Sequence, residues 1–162
     1  MRWFRFAALV LLVAVLQASA LANLNIKPDL LLILLVFFAI YCNTSDAIIS
    51  SFTIGFAADI IIVGSAMGPQ IISFGLFGTA LAYLRRVIVI RKMPYQSLAI
   101  FITALLAGLL THFLNLLKGE PAVPNIYAVL FWTSLFSGLV GPFLFLPSAW
   151  WMRIKINRFS RR

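Results

Sequence analysis

The chain has 162 residues, of which 63% are hydrophobic and 10% charged, with a formal net charge of +9. Soluble globular domains carry about 25% charged residues, and a mean hydropathy of +1.05 excludes that class in favour of one domain solvated by lipid. The positive charge does not point to nucleic acid, because the basic residues are sparse and stand at the ends of apolar segments. Cys42 is the single cysteine, so neither an intramolecular disulfide nor a cysteine-based metal site can form.

Six apolar segments follow one another. Phe4–Ala22 lies behind MRWFR and ends in small residues, QASALA. It reads either as a membrane span or as a secretory signal with a cleavage site. Removing it would leave five spans in unchanged orientation. Leu30–Cys42 has only 13 residues, whereas crossing the hydrocarbon core takes about 20. It is extended by its flanks, buried among other helices, or re-entrant together with the next segment. Ala47–Val63 follows, and then Gln70–Leu84, also short at 15 residues. Gln96–Leu117 and Ile126–Met152 are long enough to span. Pro142 and Pro147 inside the last each remove a helical hydrogen bond and are expected to kink or end the helix. The breaks Asn23–Asp29, Asn43–Asp46, Gly64–Pro69, Arg85–Pro94 and Lys118–Asn125 carry Pro, Gly, Asn or charge. The expected architecture is all-α and polytopic, with one integral membrane domain over 1–152 and a basic cytoplasmic tail over 153–162.

Charge placement orients these spans. With the N-terminus inside, Arg2, Arg5, Arg85, Arg86, Arg91, Lys92, Arg153, Lys155, Arg158, Arg161 and Arg162 fall on the inner side, and only Lys27 and Lys118 on the outer side. This positive-inside bias places both termini in the cytoplasm. Trp150 and Trp151 precede the tail, where an interfacial aromatic belt is expected, and the five basic residues of the tail suit anionic lipid. Val87–Ile90, between basic residues, is expected to lie in the interface.

Asp59 is the conspicuous polar group, a carboxylate inside an apolar run. Ser51, Gly55 and Asp59 recur every four residues, on one helical stripe. Asp59 works either as an ion or proton site or, as the stronger reading, as a structural acceptor for a neighbouring helix or the Gly64–Pro69 loop with Gly64 and Gly68. His112 shares one side of its segment with Gly108 and Asn115 at a similar outer depth, so a His112–Asp59 pair is one reading and a packing histidine the other. Thr133, Ser137 and Gly141, beside Ser134 and Gly138, form a small-residue stripe suited to helix contact within the protein or with a partner, as do Gly75, Gly78, Thr79 and Ala82. No catalytic or phosphate-binding motif is present, and Asp29 and Glu120, read as outer-loop residues, are poor catalytic material. An enzyme and a resident cofactor or metal are not expected.

The stretch from Lys27 to Arg86 resembles the MreD family of bacterial rod-shape-determining membrane proteins. The resemblance rests on Lys27-Pro28-Asp29 before a Leu-rich run, on Gly55-Phe56-Ala57-Ala58-Asp59, on Gly64-Ser65 and Gly68, and on Ala82-Tyr83-Leu84-Arg85-Arg86. Two departures stand out. Lys27 occupies the family's usual Arg position, and Asp59 is spaced one residue differently from the following Gly-Ser pair. The resemblance implies a non-catalytic scaffold of the cell-elongation machinery in the cytoplasmic membrane, acting in side-wall peptidoglycan synthesis. It implies an MreC-type bitopic partner, with a RodA-type polymerase, a penicillin-binding transpeptidase and an actin-like filament protein as further contacts. It also implies a fold similar to the substrate-binding subunits of energy-coupling-factor transporters. The alternative function is such a subunit, binding a vitamin-type small molecule.

Overall fold

A computed structural model describes residues 3–19, 28–61, 68–85, 93–119, 121 and 125–152. They form helices α1 (Trp3–Ser19), α2 (Leu30–Tyr41), α3 (Thr44–Ile61), α4 (Pro69–Leu84), α5 (Met93–Leu117) and α6 (Ile126–Met152), with no strand among the described residues. Each apolar segment of the sequence is one helix. Lys27, Gly64, Glu120, the Val87–Ile90 stretch and the basic tail lie outside the described residues.

The helix ends differ from expectation for local reasons. The α3 helix starts at Thr44 rather than Ala47, because the Ala47 amide donates back to the Asn43 carbonyl at 2.8 Å. Asp46 then sits in the first turn, where the helix dipole favours a carboxylate. The α5 helix starts at Met93 with Pro94 in its first turn, where a missing N–H leaves no partner unsatisfied. Pro142 and Pro147 do not end α6, which runs from Ile126 to Met152 through both. Each proline removes one bond, and neighbouring helices support the backbone around it; Pro142 itself is buried.

The α3, α5 and α6 helices are long and apolar enough to cross a membrane, whereas α1, α2 and α4 are shorter. The way they pack explains the short ones. The α1 helix touches α3, α3 touches α4, α4 touches α5, α5 touches α6, and α6 touches α1. These five helices close a ring, and α2 touches every one of them. The reason lies in the α2 sequence: Leu31 to Ala39 are buried without interruption, on all sides of the helix. A helix apolar all round has no face for water and belongs in an interior. Phe6 of α1 and Phe145 of α6 pack edge-on against Phe38 and Phe37 of α2. The outward faces of the ring carry exposed apolar side chains such as Leu11, Phe56, Phe113 and Phe143, as a lipid-facing surface does.

At one end of the ring, polar side chains bind α2 to its neighbours. Arg85 donates to the Ile40 carbonyl at 2.8 Å, and Gln96 donates to the Tyr41 hydroxyl at 2.7 Å. Trp151 reaches the Arg5 carbonyl at 3.3 Å at the same end.

Small residues set the spacing of the ring. A Cβ on Gly55 of α3 would stand 2.9 Å from the Ile71 Cα of α4, and one on Gly78 would collide with Ser51. Between α5 and α6, Gly138 lies against the Ser97 carbonyl, Gly141 against Ile100, and Gly108 against Leu130. In lipid the hydrophobic effect does not hold helices together, so close backbone approach and interhelical bonds must do so. Gly55→Leu is therefore expected to lower thermal stability in detergent by about 1–3 kcal/mol or more, as overpacking does. Phe56→Leu, on the outward face of the same helix, should leave the unfolding midpoint nearly unchanged.

Candidate functional site

Asp59 stands in the last turn of α3, only 3% exposed. Its Oδ2 accepts from the Gly68 amide at 2.9 Å and the Ile71 amide at 3.2 Å, while Oδ1 accepts from the Gln70 amide at 3.2 Å. Pro69 has no N–H to offer, and the Ile72 amide is already bonded to the Gly68 carbonyl. One side chain of α3 thus takes every free donor at the start of α4. The N-terminus of a helix is a ready anion site, through its free N–H groups and its dipole. Burying the charge would otherwise cost several kcal/mol. Gly68, at φ 121°, occupies a backbone region other residues avoid, which is what turns its amide towards Asp59.

A second cap lies deeper. Asp29 precedes α2, and its Oδ1 accepts from the Leu32 amide at 3.1 Å. The same oxygen accepts from Gln17 of α1 at 3.3 Å, while the Gln17 carbonyl oxygen takes the Leu31 amide at 3.0 Å. The Asp29 amide donates to the Ser137 hydroxyl of α6 at 2.8 Å. Ser137 is 14 residues from Trp151, or about 21 Å along α6, and Gln17 is about 18 Å along α1 from Arg5. Since Trp151 and Arg5 meet at the Arg85 end, Asp29 lies about 18–21 Å from that end. Asp29 stands in the short non-helical stretch before α2, and it is also a bonded group joining α1, α2 and α6.

Beyond that cap the ring encloses a half-open slot of about 220 Å³. Its polar walls come from Gln70 of α4, from Thr111, His112 and Asn115 of α5, and from Thr133 and Ser134 of α6, with Asp29 at the α2 end. The His112–Asp59 pair is not formed: Asp59 is turned to the α4 N-terminus, whereas His112 lines the slot. Thr111 instead bonds Ser73 of α4 at 2.9 Å. Similar depth brought His112 and Asp59 together in the sequence reading, but the faces of α3 and α5 differ. Ser51 and Gly55 pack on α4, Ser137 on the α2 cap, and Gly141 on α5. The Ser137–Gly141 stripe is therefore used inside the fold.

Gln17 and Asp29 form a bonded cluster that the sequence does not announce. An Asp immediately before a Leu-rich run is an N-cap signal; nothing in the sequence marks Gln17 as its partner. Asp59→Leu is expected to leave the Gly68, Gln70 and Ile71 amides without an acceptor, each worth about 1–3 kcal/mol when buried, and so to reduce the folded protein recovered from membranes. Asp59→Asn keeps one oxygen for the Gly68 and Ile71 amides and should be markedly milder in the same assay. Equal damage from Asn, in protein that still folds, would assign the charge a role of its own.

Searches of curated proteins and of solved structures return no match. Residues 1–155 match the family described as rod shape-determining protein MreD, a span that takes in all six helices, both aspartate caps and the slot. The chain belongs to the MreD family.

Proposed function

We propose that this protein is a non-catalytic scaffold of the cell-elongation machinery in the bacterial cytoplasmic membrane, supporting rod shape through side-wall peptidoglycan synthesis. The observation that carries this beyond family membership is the use made of its buried and half-buried polar groups. Asp59, Asp29, Gln17, Ser73, Thr111 and Ser137 all join helix to helix, as suits a body that holds its shape and offers a surface.

In this reading the Arg85 end faces the cytoplasm, with both termini, and the Asp59 end faces outward. The positive-inside distribution of the basic residues supports that orientation. An MreC-type bitopic protein is the principal partner, with a RodA-type polymerase, a penicillin-binding transpeptidase and an actin-like filament protein as further contacts, and anionic lipid beneath the basic tail. Asp59, Gly55, Ser51, Gly64, Gly68, His112, Asn115, Ser137 and Gly141 then act through the shape of the ring.

The slot supports a second reading, a small-molecule-binding membrane subunit of an energy-coupling-factor transporter with a fold to match. Two experiments separate the readings. Depletion of the protein in a rod-shaped host is expected to give round cells, and unchanged rods would sink the scaffold reading. A tagged copy purified in mild detergent is expected to bring down a bitopic coiled-coil protein, whereas a co-purifying ATPase would favour the transporter.

A further inference from the structure

The slot carries an inference that neither family membership nor scaffolding supplies. Among the described residues its lining contains no lysine or arginine, and its one carboxylate is Asp29. The bonds from Leu32 and Gln17 to that carboxylate go to Oδ1, and the Leu31 amide also lies close to it. Oδ2 accepts none among the described residues. Further along the slot, the Asn115 Oδ1 is buried and also has no hydrogen-bond partner. Two acceptors thus lie without a bonded donor at one cavity, the buried Asn115 Oδ1 and one oxygen of the half-buried Asp29 carboxylate. A buried acceptor without a donor is costly, and a carboxylate without a counter-charge is an open partner for a cation. Phe74 of α4 and Leu130 of α6 add apolar surface to the lining. The volume of about 220 Å³ falls below the roughly 300–1,000 Å³ of pockets for drug-sized ligands, so the occupant is small.

We infer that the slot is a binding site for a small primary amine carrying a second hydrogen-bond donor. The ammonium group donates to Asp29 Oδ2 at the α2 end, and the second donor reaches Asn115 Oδ1 on the α5 side. An ammonium supplies both the charge and the donors that this lining lacks. A carboxylate ligand would be repelled by Asp29 and would find no lysine or arginine among the described lining residues. The inference depends on the scaffold reading only for the side to which the slot opens, and it stands if cells depleted of the protein remain rods.

The test uses the full chain purified in mild detergent, with thermal unfolding followed at constant pH and ionic strength. The probes share one length: 5-aminopentan-1-ol, pentane-1,5-diol and 5-hydroxypentanoate. The amine is expected to raise the midpoint saturably, as a ligand of the folded state does, while the diol and the carboxylate leave it in place. Asp29→Asn keeps an oxygen for the Leu32 amide but removes the charge, and should weaken the amine response about tenfold or more, the loss expected of a charge-assisted bond. Thr133→Leu fills the slot from α6 without touching the Asp29 cap and should abolish the response. Equal shifts from the three probes, no saturable shift from the amine, or a full amine response in both variants would each overturn the inference. If Thr133→Leu fails to fold, Asp29→Asn and the probe comparison still decide.

Discussion

The whole arrangement depends on a helix that is too short for its environment. The α2 helix has 12 residues, about 18 Å, in a layer whose hydrocarbon core is about 30 Å thick. A bilayer offers no water to the exposed amides at its start, so those amides must be met by protein. The Asp29 carboxylate and the Gln17 amide oxygen meet them, and Ser137 accepts from the amide of Asp29 itself. With its N-terminus satisfied by these side chains, α2 can be apolar on every side and serve as the hub of a five-helix ring. Because it is shorter than α5 and α6, the remaining interior of the ring becomes a slot rather than a core.

The two aspartates solve one problem in different ways. Asp29 caps the helix that follows it directly, and draws in α1 and α6 as it does so. Asp59 caps a helix that begins ten residues later, and so joins α3 to α4 at the opposite end from Arg85. Each places a negative charge against a helix N-terminus, where the dipole offsets part of the desolvation cost. Each also makes an interhelical bond, in a solvent where the hydrophobic effect gives no reason for apolar helices to associate. The glycines at Gly55, Gly78 and Gly138 supply the complementary term, close packing of one helix on the next.

How much of this could be read in the sequence follows the range of each interaction. The helices were legible, because hydropathy and the Pro, Gly and Asn breaks are local signals; α6 has the bounds read for it, and α2 and α4 differ by one residue. Asp59 was legible as an acceptor for the segment after it, because its partners lie only 9 to 12 residues away. The Asp29–Ser137 bond spans 108 residues, and no periodicity encodes it. His112 was misplaced because counting residues along a helix gives depth but not the direction a side chain takes around the bundle. The slot was invisible for the same reason: it arises where three helices meet above a fourth.

The central place of α2 also bears on how the protein is made. It follows α1 in the chain, yet four of its five neighbours, α3 to α6, are synthesised after it. Until they arrive, a 12-residue apolar helix headed by an aspartate has no stable place across a bilayer. Its first companion is α1, which buries Phe6, Leu9 and Val10 and provides Gln17. Cleavage after the signal-like QASALA would remove that companion and open the ring between α3 and α6. A later fastening waits for Ser137, on α6. Insertion of this chain is therefore an assembly in which the centre is threaded early and secured later, so the wall around it must close inside the membrane rather than be inserted helix by helix.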